Sequence, residues 1–280
     1  AYLMNAGHGG KSKTMGENHP DGAIINYYIG DVDTITSTYS LRFLDDNGDE
    51  LVAYSSRSDK KEYRWIPEKG ANRFIWDLRT RGIDKVKGMI LWWAFQSGPR
   101  VVPGTYTVEL AAGTDTLTVP LEVLMDPRVT AGKEDLQAQY DFLMEIRTNM
   151  ERMNNNILEI RSVREKLNSL KKIVSDTTLI SQIDLLIRQG QNIEEALYQT
   201  KNRSPQDPLN FPIRLNNKYG HVGSLADLGF NRPTAQMYEV KAELEASIEV
   251  EMDAWKRTKK EVNLLNEALQ EVKTPYIIVE

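Results

Sequence analysis

The chain has 280 residues, 40% hydrophobic and 27% charged, a balance typical of a folded globular protein that excludes a disordered one. Its formal net charge of −5 excludes the basic surface of a nucleic-acid-binding protein, and no window reaches the roughly 20 apolar residues of a membrane span. The absence of cysteine excludes disulfides and thiolate metal sites.

Residues 1–21 are rich in glycine and polar groups and are predicted to be a lead-in segment. Residues 22–126 are predicted to form an antiparallel, immunoglobulin-like β-sandwich. Asn47-Gly48 and the AGTD sequence at 112–115 are typical of hairpin turns between strands. Short runs rich in β-branched and aromatic residues, several alternating with the period of a half-buried strand, lie at 24–29, 38–44, 50–55, 73–78, 105–111 and 116–124.

The apolar period changes from 2 to 3.6 near residue 127, so residues 127–280 are predicted to form an antiparallel bundle of three helices, two of them long. Ser175 or Asp176 is expected to cap the second helix. The last helix carries a heptad seam that favours coiled-coil-like packing. Its apolar positions are Leu244, Ile248, Trp255, Val262, Leu265, Leu269 and Val272.

Residues 202–231 are predicted to be a long loop between the second and third helices. This segment is rich in Pro, Gly and Asn, yet it also carries Leu209, Phe211 and Ile213. A connection of this length is usually functional or packed against the fold. We therefore expect it to wrap the end of the bundle, with a helical turn near 213–219, and to contact a partner.

Several motifs resemble one known arrangement. They are GENHPDGAIINYYI (16–29), GANRFIWDLRTRG (70–82), GPRVVPGTYTVEL (98–110), PLEVLMDPRVTAGKEDLQAQYDF (120–142), FPIRLNNK (211–218) and RPTAQ (232–236). In this order they resemble the C-terminal region of bacterial exported proteins whose N-terminal part is a sortilin-like, or BNR-type, β-propeller. The strand motifs also resemble the immunoglobulin-like domain of the flagellar hook-capping protein.

The resemblance implies a periplasmic, secreted or cell-surface location and a β-propeller as partner. Such proteins are commonly labelled glycosyl hydrolases, but the propeller and its repeats are absent from these 280 residues. The hydrolase activity implied by that label is therefore not carried over to this chain. His19 also departs from the family pattern, in which a second proline usually stands at this position.

The residues themselves indicate little chemistry. No catalytic, cofactor-binding or metal-ligating set is predicted, because the three histidines are far apart in sequence and no phosphate loop or nucleophile motif is present. Asp45, Asn47 and Asp49 alternate like the start of a calcium loop, although a hairpin explains them better. Trp76 should fill the core. Asp77 is expected to accept hydrogen bonds from nearby backbone N–H groups or to pair with Arg79, with catalysis as the lesser alternative.

One aromatic cluster is less readily explained by packing alone. Trp92, Trp93 and Phe95 lie close together in MILWWAFQSGPR (89–100). Adjacent tryptophans on an extended segment point to opposite faces, so one of the two should leave the core. The alternatives are packing within or between domains, contact with a protein partner, and stacking on a sugar ring. The predicted partner or glycan contacts are Trp92, Trp93, Phe95, Phe211, Arg214 and Tyr219.

The leading hypothesis is therefore a non-catalytic accessory or interaction module that docks on a β-propeller or another surface protein. A carbohydrate-binding module with an exposed tryptophan platform is the alternative, and a glycoside hydrolase is the weaker one. No cofactor, nucleic acid or membrane span is predicted.

Overall fold

The structure is a computed structural model that describes residues 19–33 and 35–271. The chain divides into two compact units. The first, here called the strand unit, comprises Ala1–Gly82, Ser97–Asp141 and Phe230–Arg232. The second, the helical unit, comprises Ile83–Gln96, Phe142–Gly229 and Pro233–Glu280. Most of the predicted lead-in segment lies outside the described residues.

All six strands predicted from the alternating runs are present. They are β1 (Ala23–Ile29), β2 (Tyr39–Leu44), β3 (Glu50–Ser55), β4 (Gly70–Trp76), β5 (Gly104–Ala112) and β6 (Asp115–Val123). Strands β1 and β4 form a two-stranded antiparallel sheet, and the other four form an antiparallel sheet in the order β3-β2-β5-β6. Both predicted hairpins are confirmed, since β2 pairs with β3 across Asn47-Gly48 and β5 with β6 across Gly113.

The core of the strand unit is centred on Trp76, which is fully buried as predicted. Its ring stacks on Phe43 of the four-stranded sheet with centroids 4.2 Å apart, and its indole N–H donates to the Arg79 carbonyl at 2.9 Å. Asp77 lies directly after β4, where its carboxylate accepts a hydrogen bond from the backbone N–H of Arg79 at 3.1 Å. Packing thus accounts for Trp76, and turn geometry accounts for Asp77.

The described residues contain four α-helices rather than the three predicted. They are α1 (Lys133–Lys171), α2 (Thr177–Leu197), α3 (Leu215–Ala226) and α4 (Ala235–Glu271). The additional helix, α3, lies inside the predicted 202–231 loop, which also contains a 3-10 turn at Asp207–Leu209. Asp176 caps α2 as expected, because its carboxylate accepts hydrogen bonds from the backbone N–H groups of Thr178 and Leu179.

The helical unit is held together by the apolar stripes that the sequence predicts. The seam of α4 is buried at Ile248, Trp255, Val262, Leu265 and Leu269, together with Ile157, Ile160 and Leu167 of α1. The predicted boundary at residue 126 differs from the observed division of the chain. Residues 83–96, between β4 and β5, group with the helices, and α1 contributes its residues up to Asp141 to the strand unit.

Candidate functional site

The segment from Ile83 to Gln96, here called the aromatic loop, is fixed to the helices through its backbone. Asn217 of α3 is buried, and its side chain forms hydrogen bonds with both the backbone N–H and the backbone C=O of Trp92. The backbone N–H of Trp92 donates to Asn217 Oδ1 at 2.7 Å, and Asn217 Nδ2 donates to the Trp92 carbonyl at 2.8 Å. Three residues later, the N–H of Phe95 donates to the Gly220 carbonyl at 2.8 Å. The centre of the loop is therefore anchored on α3.

Polar side chains from other helical segments hold the first half of the aromatic loop. Asn154 Nδ2 donates to the Asp84 carbonyl at 2.9 Å, and the N–H of Ile90 donates to the Tyr198 hydroxyl at 3.0 Å. Close contact with α3 also requires a glycine there. A Cβ added at Gly220 would lie 2.8 Å from the Cβ of Ala94. The aromatic loop is thus an ordered part of the helical unit, held by hydrogen bonds and close packing.

This anchored loop presents both tryptophans to solvent. Trp92 is 50% exposed and Trp93 is 53% exposed. One of the two was expected to leave the core, and both do so because the segment is not extended at this point. Trp93 has φ 47°, in the left-handed region that side-chain-bearing residues adopt at a cost in energy. That turn breaks the alternation of faces and leaves two neighbouring indoles on the surface.

His221 adds a third ring beside the tryptophan pair. Its ring meets Trp93 edge to face, with centroids 4.7 Å apart and planes at 71°. Lys218 and Leu225 lie about one helical turn before and after His221 on α3, so all three share one helix face. Lys218 and Leu225 are exposed. We call Trp92, Trp93, His221, Lys218 and Leu225 the tryptophan surface.

The other predicted contact residues lie in different environments. Phe95 is 3% exposed and Tyr219 is fully buried, so neither side chain is available to a partner. Phe211 is half-buried beneath the ammonium group of Lys201, which lies 5.9 Å from the ring centroid. Arg214 is exposed immediately before α3, about one turn from Lys218. Of the six predicted contacts, Trp92 and Trp93 are therefore the two brought together on the surface.

Tyr219 instead belongs to a polar network that joins α1, α3 and α4. Its hydroxyl donates to Glu245 Oε1 at 2.6 Å, and the same oxygen accepts from Asn149 Nδ2 at 3.0 Å and pairs with Lys241 Nζ at 2.9 Å. Lys241 also pairs with Glu145 at 2.5 Å. These groups, apart from Tyr219 itself, border an open pocket of about 560 Å³. The pairing of Lys241 with Glu245 is visible in the sequence as an i,i+4 pair, but its link to Tyr219 is not.

The electrostatics of this network favour a structural role. Burial raises the pKa of Tyr219, and its hydrogen bond to Glu245 raises it further, so the hydroxyl stays protonated. Burial also acts to raise the pKa of Glu245, but the bonds from Tyr219 and Lys241 outweigh it and hold that pKa below its ordinary value. The protonated phenol can therefore donate its hydrogen bond to an ionised carboxylate, and the network ties α1, α3 and α4 together.

In the strand unit, a second pocket of about 410 Å³ lies beside the hairpin at Asp45. The side chain of Asp45 is used by the turn, because its Oδ1 accepts from the N–H groups of Asn47 at 2.9 Å and Asp49 at 2.8 Å. Burial raises the pKa of Tyr106 in this pocket to about 12, and nearby Tyr140 adds to the effect. The alternating Asp-Asn-Asp pattern is thus accounted for by the hairpin.

Within the described residues, no three acidic or histidine side chains converge in a way that could hold a metal ion. The helices in that part of the chain also include no stretch long and apolar enough to cross a membrane.

Comparisons with known proteins yield little for this chain. No protein-family model matches it, and no curated protein matches it. Among solved structures, it gives a match to a protein named pT26-6p at 12% sequence identity and a TM-score of 0.14. The match covers 82% of this chain and 42% of that one.

Sequence reasoning missed the two residues that organise the tryptophan surface. Asn217 and His221 both lie in the 202–231 segment that is expected to contact a partner, but the sequence does not predict either of them as a contact residue. No local pattern marks Asn217, because its role depends on the aromatic loop lying against α3. The same holds for His221, whose significance comes from its contact with Trp93.

Proposed function

We propose that this chain is a non-catalytic interaction module that recognises a protein partner through the tryptophan surface. The observation that carries the proposal is the pair of half-exposed indoles on a loop whose backbone is clamped by a buried side chain. We further propose that the strand unit is an immunoglobulin-like sandwich and that the helices form an antiparallel bundle. On this view the helical unit acts as the support for recognition.

Rigidity supports a binding role. Large aromatic side chains dominate the energy of protein interfaces, and tryptophan is enriched among the residues that matter most. Holding such groups in place before binding reduces the conformational entropy lost when the partner arrives. The left-handed conformation of Trp93 also implies a cost that an ordinary loop would avoid. Strained backbone of this kind is more often found where a side chain must be presented.

A protein partner is favoured because exposed apolar side chains also lie on α3 and directly after it. Leu225 on the same face as His221 is 37% exposed, and Leu228, shortly after α3, is 62% exposed. Contiguous exposed apolar patches on a protein surface are typical of interaction sites. The sequence motifs resemble the tail of exported β-propeller proteins, so we propose a sortilin-like β-propeller at or outside the cell surface as the partner.

Biolayer interferometry with an immobilised sortilin-like β-propeller domain tests this function. We expect saturable binding that Trp92→Ala weakens by about 30-fold or more, which corresponds to a hot-spot loss of about 2 kcal/mol. Leu264→Ala is the matched control, since Leu264 is 62% exposed on α4 away from the tryptophan surface in sequence. Equal affinity of the Trp92 variant and the wild type would refute the proposed surface.

A carbohydrate-binding function is the second candidate, favoured by the exposure of two indoles that are adjacent in sequence. Exposed tryptophan rings can stack on the apolar face of a sugar, and the adjacent His221 offers a polar group to hydroxyls. A glycan array probed with the purified chain distinguishes the two candidates. Glycan binding that both Trp92→Ala and Trp93→Ala abolish, without binding to the propeller, would replace the first proposal with this one.

A further inference from the structure

Charge is distributed unevenly along the chain. The aromatic loop and residues 199–229, here called the α3 segment, are held against each other by the hydrogen bonds that Trp92 and Phe95 form with α3. Together the two segments contain six basic and three acidic residues, a net charge of +3, and −5 less +3 leaves −8 for the rest of the chain. All six basic residues are exposed, and they are Lys85, Lys87, Lys201, Arg203, Arg214 and Lys218.

The acidic residues of the two segments are less accessible than the basic ones. Asp84, Asp207 and Asp227 are all half-buried. The Asp207 carboxylate accepts hydrogen bonds from the backbone N–H groups of Arg203 at 2.6 Å and Ser204 at 2.9 Å, so it stabilises its own turn. Asp84 and Asp227 also interact with other groups of the chain. The charge that a partner meets on these segments is therefore mainly positive.

Two of the exposed cations lie next to the aromatic rings. Lys218 belongs to the tryptophan surface, and Arg214 precedes it by about one helical turn. In the part of the chain that the structure describes, neither side chain forms an ion pair. Lys241 of the same unit, by contrast, is buried and pairs with Glu145 and Glu245. The two exposed cations can thus interact with negative groups of a partner.

We propose that the partner binds the tryptophan surface through an acidic segment of its own chain that also carries apolar side chains. This inference rests on the proposed function, because it specifies the partner of the same surface. Carboxylates of the segment face Lys218 and Arg214, and an apolar side chain contacts the indoles of Trp92 and Trp93. Complementary charge speeds association and selects among partners, while the aromatic contact supplies most of the affinity.

An acidic peptide fits this surface better than two other large anions, a nucleic acid and a lipid membrane. A nucleic acid strand carries a phosphate about every 3.4 Å, so it would extend beyond the basic segments, and the net negative charge of the other residues would repel it. A membrane-bound surface inserts apolar groups about 5–10 Å into the lipid, whereas these indoles are half covered and lie against the protein. Leu209 and Leu228 of the α3 segment are also exposed and can contact apolar side chains of a peptide.

Selection from a random peptide library displayed on phage tests the chemistry of the partner, with the full chain immobilised. We expect the selected peptides to be enriched in aspartate and glutamate, to carry a large apolar residue, and to bind Trp92→Ala about 30-fold or more weakly. Peptides that depend on Trp92 without an acidic excess would overturn this inference and leave the proposed function intact. Acidic peptides that bind Trp92→Ala as well as the wild type would refute both. Failure to select any peptide would also overturn the inference.

Reversal of one charge tests the contact with Lys218, measured by fluorescence polarisation of a labelled selected peptide. Lys218→Glu should weaken binding by about 5-fold or more, because an attraction becomes a repulsion, and added NaCl should weaken wild-type binding by screening. Lys172→Glu is the matched control and should bind like the wild type. Lys172 is exposed directly after α1, roughly 33 Å along that helix from Asn149, which contacts Tyr219 of α3. Equal loss in both variants, or in neither, would overturn the proposal.

Two other anions are added as competitors in the same assay, a single-stranded oligothymidylate and vesicles of phosphatidylserine. We expect neither to displace the labelled peptide from the wild type at physiological salt. Displacement by the oligonucleotide would indicate a nucleic-acid site, and displacement by the vesicles would indicate a membrane site. Either result would overturn the proposal of an acidic peptide. Unchanged circular dichroism establishes that each variant is folded.

Discussion

Removing the Asn217 side chain should release the aromatic loop while leaving both tryptophans in the sequence. Asn217→Ala deletes the acceptor for the Trp92 N–H at 2.7 Å and the donor to the Trp92 carbonyl at 2.8 Å. Each hydrogen bond contributes about 0.5–1.5 kcal/mol net, so their loss alone lowers the free energy of unfolding by about 1–3 kcal/mol. A cavity at the buried position adds to this, which brings the expected loss to about 2–4 kcal/mol.

Two measurements on Asn217→Ala separate a global effect from a local one. Urea denaturation gives the change in the free energy of unfolding, and acrylamide quenching of tryptophan fluorescence reports the accessibility of Trp92 and Trp93. If the loop opens locally, quenching increases while the denaturation midpoint falls by less than the full amount. Binding through the tryptophan surface should weaken in either case, because the indoles are no longer held in place.

Asn210→Ala is the matched control for this experiment. Asn210 is an exposed asparagine in the same 202–231 segment, and its replacement should change stability by no more than about 0.5 kcal/mol. If Asn217→Ala behaves like this control in denaturation, quenching and binding, the clamp on Trp92 does not position the surface, and the reasoning fails.

Three further variants test the packing within each unit. Trp76→Ala should lower the free energy of unfolding by about 3–5 kcal/mol, since it empties the core beside Phe43; a loss below about 1 kcal/mol in urea would contradict the core assignment. Tyr219→Phe should cost about 1.5–3 kcal/mol at neutral pH by removing a hydrogen bond to the ionised Glu245. The folded-state pKa of Glu245 lies below its ordinary 4.5. The stability difference between Tyr219→Phe and the wild type should therefore be complete above pH 4.5 and shrink as the pH falls through the folded-state pKa. A stability difference that does not change with pH would contradict the bond to an ionised Glu245. Gly220→Ala should cost about 1–3 kcal/mol in denaturation despite the better helix propensity of alanine, because its Cβ collides with the aromatic loop; a gain in stability would show that the contact is loose.

The sequence by itself determined the elements whose periodicity is strong. Alternation at Tyr106, Val108 and Leu110 placed β5, and the heptad spacing from Ile248 to Leu269 placed α4 and its buried seam. These patterns show which side of an element is buried, so they can be recognised without knowing which element packs against that side. The hairpin turn at Asn47-Gly48 and the N-cap at Asp176 depend on a few neighbouring residues, so both could be predicted from the local sequence.

Only the tertiary structure decided α3 and the tryptophan surface. The α3 sequence contains two glycines and two adjacent asparagines, which are poor helix formers, so local propensity favoured a loop. Gly220 is explained by the close approach of Ala94, and Asn217 by the backbone of Trp92, both more than a hundred residues away in the chain. The left-handed backbone at Trp93 likewise depends on the contact between the aromatic loop and α3, because tryptophan has no intrinsic preference for this conformation. A recognition surface assembled from such distant segments leaves no periodic pattern for sequence reasoning to detect.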